Sequence, residues 1–143
     1  MATERTADVV WQGDLMNGSG TIGEVGSGAF GPLDVSWPSR AEEPNGKTSP
    51  EELIASAWAA CFAMALAHGL AQGGNPPEKL ETSATVTFQP GEGIVKGALT
   101  VRGTVAGMSD DAFREAATNA KENCPVSKAL AGIPEVALDA SLA

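Results

Sequence analysis

Two cysteines, Cys61 and Cys124, carry the most reactive side chains in this sequence. A pair of thiols can cycle with a disulfide, contribute to a metal site, or lie inert in a core as small apolar residues. A zinc site needs more ligands than the sequence offers, because His68 is the sole histidine and there is no third cysteine. No metal is expected. In a reducing compartment two isolated thiols are usually buried and unreactive, so the sequence around each one decides which reading gains weight.

Cys61 sits within Trp58-Ala59-Ala60-Cys61-Phe62, inside a long helical stretch. It reads either as core filling or as a thiol in a dry pocket, with alanines leaving space and Trp58, Phe62 and Met64 making the surroundings apolar. Burial alone raises a thiol's pKa and silences it, so a reactive Cys61 requires a cation nearby. Of nine Lys and Arg residues, Arg40 is the best placed, since the polar run that follows could return it to the helix. An arginine stays charged and can donate to a thiolate and a second oxygen together. A solvated surface charge is the plain alternative for the same residue.

Cys124 precedes Pro125, which disfavours helical geometry at the cysteine and suits the first position of a helix. Cys124 is therefore expected at the N-cap of a short turn, PVSKAL, where the helix dipole favours a thiolate. Spacing by itself does not bring the two sulfurs together. His68 lies two helical turns beyond Cys61, on the order of 10 Å along the axis, too far for a Cys–His pair. Glu51 lies ten residues before Cys61, roughly 15 Å on a straight helix. If it assists Cys61, it must come from a second subunit or a bent segment.

The elements that would position these residues follow from periodicity. Residues 8–12 and 21–25 read as strands flanking an Asn17-Gly18 turn, 33–37 as a third strand, and 40–47 as a polar loop. Thr48-Ser49-Pro50-Glu51 starts a helix that runs to about Gln72 and ends at Gly73-Gly74-Asn75-Pro76-Pro77. That helix is apolar nearly all round, which predicts burial on most faces, in the core or against a partner. Residues 81–88 and 94–105 read as a second hairpin. Ser109 caps an amphipathic helix with Ala112, Phe113, Ala116, Ala117 and Ala120 on one face, and 136–142 is a last strand. The order argues an α+β domain with a largely antiparallel sheet, a single domain over 1–143.

Nine basic against 18 acidic residues give a net charge of −9, which argues against nucleic acid or an anionic membrane surface as partner. No uninterrupted apolar run approaches bilayer length, and the charged opening MATERTADVV does not resemble a targeting peptide. A cytoplasmic protein is expected.

Thr48-Ser49-Pro50-Glu51-Glu52-Leu53-Ile54-Ala55, followed by Ala59-Ala60-Cys61-Phe62, resembles the (T/N)PEEL…AACF signature of the OsmC/Ohr family of thiol peroxidases. Cys124-Pro125-Val126-Ser127 resembles that family's CPVS motif, and the opening Trp11-Gln12-Gly13-Asp14-Leu15 is similar to the OsmC branch. No GGRDG-like segment of the Ohr branch is present. The resemblance implies a peroxidatic Cys61, a resolving Cys124, Arg40 as pocket arginine and Glu51 as its partner. It further implies an intertwined homodimer, reduction of organic hydroperoxides, a Cys61–Cys124 disulfide, and recycling by a dithiol such as a lipoylated protein, with no cofactor. The competing expectation is a small-molecule-binding or stress-response protein on the same fold. A protein dithiol exchanger is less favoured without a C-x-x-C motif.

Overall fold

The computed structural model describes residues 1–143, which divide into two compact units, 1–53 and 54–143. In the first unit β1 (Val9–Gln12), β2 (Ser19–Ile22) and β3 (Leu33–Val35) form an antiparallel sheet in that order. The hairpin expected at Asn17-Gly18 forms, with Gln12 opposite Ser19. Gly13 takes a positive φ of 88° and the Asp14 carboxylate accepts the Asn17 amide at 2.7 Å. Val9, Val10 and Trp11 of β1 are exposed.

The third strand is shorter than its sequence pattern. It ends at Val35, and α1 (Trp37–Ala41) occupies residues expected as strand and loop, so Arg40 is helical. Capping overrides the apolar pattern here. Ser36 is extended and accepts the Ser39 amide, the Ser39 hydroxyl accepts the Ser36 amide in return, and Pro38 suits the first turn.

Helix α2 (Pro50–Gln72) starts where expected. Ser49 Oγ accepts the Glu52 amide at 3.2 Å, and Glu51 and Glu52 lie at the positive end of the dipole. The expectation that no segment reaches bilayer length needs correction: α2 is long and apolar enough, by length and composition, to cross a membrane. Its alanines spread a moderate apolar character over an almost uncharged stretch. Burial is also narrower than expected. Trp58, Phe62, Leu66 and Leu70 form a buried stripe at four-residue spacing, while Ala57, Ala60, Met64, His68 and Ala71 are exposed.

In the second unit β4 (Lys79–Gln89) and β5 (Gly93–Thr104) form the expected hairpin, with a register shift at Thr87/Phe88. Next come α3 (Asp110–Asn123), capped by Ser109, and α4 (Pro125–Ala129), capped by Cys124. They carry the chain back, so β6 (Glu135–Leu142) pairs parallel with β5 in a sheet ordered β4-β5-β6. The fold is α+β, with largely antiparallel sheets and a central helix.

The core joins the α2 stripe to Leu99, Val101 and Val105, to Phe113, Ala117 and Ala120 of α3, and to Cys124 and Ala140. Each large apolar side chain buried there contributes about 2 kcal/mol. Two glycines of β5 make room for rings. A Cβ on Gly97 would lie 2.5 Å from the Trp58 indole, and one on Gly103 would lie 2.5 Å from the Phe113 ring.

Candidate active site

Two sets of sequence-predicted residues assemble, one in each unit. In the first unit, the last turn of α1 carries Arg40 and the first turn of α2 carries Glu51. Arg40 Nε donates to both Glu51 carboxylate oxygens, at 2.7 and 3.2 Å. Glu51 is 7% exposed. A carboxylate so far removed from water needs a fixed cation, and the arginine supplies one with a defined orientation. Thr48 anchors the intervening loop through its amide to Asp34 O, at 3.1 Å.

In the second unit, Cys61 on α2 and Cys124 at the α3–α4 junction meet. Both are free thiols, close enough for each to shift the acidity of the other. Cys61 is half-buried and Cys124 fully buried. Pro125 is responsible for the second placement, since it ends α3 at Asn123 and opens α4 directly after the cysteine.

The two thiols are pushed apart in acidity. Burial raises Cys61 above the ordinary value of 9.0, and its hydrogen bond to Cys124 and the charge there raise it further, against a lowering contact with the Val126 amide. Burial would raise Cys124 as well, but the hydrogen bond from Cys61, the Ser127 and Val126 amides and the Ser127 hydroxyl together carry it below 9.0. Cys124 makes no capping hydrogen bond of full geometry; the amides act as oriented dipoles close to the sulfur. In the reduced pair the proton therefore favours Cys61 and the charge favours Cys124. The groups that move Cys61 most include no cation.

The apolar surroundings expected from Trp58, Phe62 and Met64 are not gathered as a pocket in one chain. Trp58 and Phe62 are closed core residues, 1% and 0% exposed, while Met64 is 72% exposed. His68 is exposed and stands apart from the thiols, as its spacing implied.

Ser127 was missed by sequence reasoning. Its hydroxyl oxygen accepts the Trp58 indole N–H at 2.8 Å, and its side chain is among the groups that lower the pKa of Cys124. The available signal was its position three residues after a helix-capping cysteine, together with the need of any buried indole for an acceptor.

The chain is 35% identical to the peroxiredoxin OsmC of Escherichia coli strain K12 over 145 residues, covering 99% of each protein. It is 29% identical over 108 residues to the organic hydroperoxide resistance protein OhrB of Bacillus subtilis strain 168, covering 75% of this chain and 79% of that one. Among solved structures, it matches an organic hydroperoxide resistance protein OsmC from Legionella pneumophila with a TM-score of 0.71 and 27% identity, over 95% of this chain and 96% of that one. A family model for OsmC-like proteins matches residues 43–139, a range that holds both cysteines and Glu51. The chain belongs to the OsmC-like protein family.

Proposed function

We propose that this protein, acting as a single OsmC-like domain in a homodimer, is a cysteine-based peroxidase that reduces organic hydroperoxides. The observation that carries the reading is the contact between the Cys61 and Cys124 thiols, contributed by helices far apart in sequence. The names of the relatives in Escherichia coli and Bacillus subtilis support it. The Cys61 thiolate attacks the distal peroxide oxygen, the O–O bond breaks, and the alkoxide leaves as an alcohol after taking up a proton. Cys61 is then a sulfenic acid. Cys124 attacks its sulfur, water leaves, and a Cys61–Cys124 disulfide forms. A dithiol such as a lipoyl group returns both cysteines to thiols and is itself oxidised to a disulfide. Cys124 is well placed to receive the proton Cys61 must lose, because the two thiols are neighbours and each shifts the acidity of the other.

Arg40 supplies the cation Cys61 lacks, oriented by Glu51. Ten residues of helix separate Glu51 from Cys61, about 15 Å of rise, so the Arg40–Glu51 pair serves the Cys61 of a second copy. The exposed apolar face of α2 fits the same assembly. Light scattering in dilute buffer should give about twice the 14.5 kDa chain mass, and an active monomer would exclude a shared site.

Consumption of cumene hydroperoxide by the purified protein with dihydrolipoamide tests the activity directly. A protein of this fold that only binds small molecules would consume none. Arg40→Lys keeps the charge but loses the fork that spans thiolate and peroxide. Peroxidase efficiency should fall at least about tenfold, ~1.4 kcal/mol of transition-state stabilisation. An unchanged kcat/KM would remove Arg40 from the site.

A further inference from the structure

We propose that, when the Cys61–Cys124 disulfide of the reading above is reduced, the incoming dithiol attacks the Cys61 sulfur and Cys124 departs, with Ser127 as the positioning residue that holds the departing sulfur. Two independent observations point the same way. The first is access. Cys61 is half-buried, whereas Cys124 is 0% exposed within the core formed with Trp58, Phe62 and Phe113. A thiolate arriving from solvent meets Cys61 first.

The second is the hydrogen-bond inventory at Ser127. An indole N–H can only donate, so the 2.8 Å contact with Trp58 Nε1 makes the Ser127 oxygen the acceptor. The single hydroxyl proton is left to point elsewhere, and the side chain lowers the pKa of the neighbouring Cys124 thiol. Backbone geometry puts it there. Cys124 is the N-cap of α4 and Ser127 is three residues on, the same relation as Ser36 and Ser39 in α1, whose hydroxyls touch at 2.9 Å. Trp58 is itself fixed, lying over Gly97 where no Cβ could fit. A donor held in this way favours the sulfur that leaves with negative charge, and a thiol of lower pKa leaves faster.

The exchange balances. The dithiol's first thiolate forms an S–S bond to Cys61, the Cys61–Cys124 bond breaks, and its electron pair departs on Cys124. The second thiolate of the dithiol then attacks the mixed disulfide, closes a cyclic disulfide and releases Cys61. The dithiol is oxidised by two electrons and the protein disulfide is reduced by two.

To test it, the protein is oxidised with one equivalent of cumene hydroperoxide, treated briefly with 2-mercaptoethanol, quenched in acid, alkylated and mapped by peptide mass. The expected product carries mercaptoethanol on Cys61 and the alkyl label on Cys124. The reverse pattern overturns the proposal. In Ser127→Ala, dihydrolipoamide should reduce the preformed disulfide about tenfold more slowly, and Ser127→Thr should recover most of the loss. In a Cys61→Ser background, Ser127→Ala should move the thiolate ultraviolet band of Cys124 to higher pH. If both the reduction rate and that titration are unchanged, Ser127 has no such role. Should hydroperoxide form no disulfide, the peroxidase reading fails on its own; diamide then makes the disulfide, and the same mapping still decides which sulfur is attacked.

Discussion

Cys61→Ser is expected to abolish peroxide turnover, leaving only the rate of peroxide with free reductant. A serine hydroxyl does not ionise in the working pH range, and Cys124, fully buried at the start of α4, is poorly placed to attack in its stead. Cys124→Ser should behave differently. It should reduce one equivalent of peroxide and then stall, because the Cys61 sulfenic acid has no thiol to condense with. Further peroxide should drive it to sulfinic and sulfonic acids, seen as added oxygens by intact mass. Turnover by the Cys61→Ser protein would refute the assignment. A Cys124→Ser protein that cycles at the wild-type rate would remove Cys124 from the mechanism.

Cumene hydroperoxide should be consumed with an efficiency one to two orders of magnitude above that of hydrogen peroxide. Along α2 the neighbours of Cys61 are Ala57, Ala60, Met64 and Ala65, which give an alkyl group apolar surface to cover and offer no polar partner to water. Each buried CH₂ is worth ~0.8 kcal/mol, and about 1.4 kcal/mol is a factor of ten, so two or three partly buried groups suffice. Hydrogen peroxide has no such group. The two substrates are compared with limiting peroxide and a common reductant. Equal efficiencies would mean that an alkyl substituent finds nothing to cover near Cys61.

The sequence disclosed elements wherever one local signal prevailed. Pro50 after Ser49 marked the start of α2, Ser109 that of α3, and Pro125 placed Cys124 at a helix cap. At Trp37 two signals competed, and the apolar alternation concealed a Ser36–Ser39 capping box worth more to the backbone. The face that α2 would bury was unreadable, because alanine suits either environment and only the packing of Trp58, Phe62, Leu66 and Leu70 decides. The Trp58–Ser127 contact spans 69 residues, and no periodicity reports a hydrogen bond at that separation. The meeting of the two sulfurs was legible only through the resemblance of their motifs, since each cysteine alone is equally consistent with inert core.

The core-facing side of β5 reads Gly97, Leu99, Val101, Gly103: a notch, two ridges and a notch. Trp58 from α2 and Phe113 from α3 occupy the two notches, like keys of one lock. If the strand slid by two residues, a ridge would drive into a ring. If it slid by one, Lys96 and Arg102 would turn inward. The strand therefore has one permitted alignment against both helices at once. Because Cys61 lies one turn beyond Trp58 and Cys124 follows the helix that carries Phe113, the distance between the two sulfurs is gauged by a pair of missing side chains on a strand that holds neither cysteine.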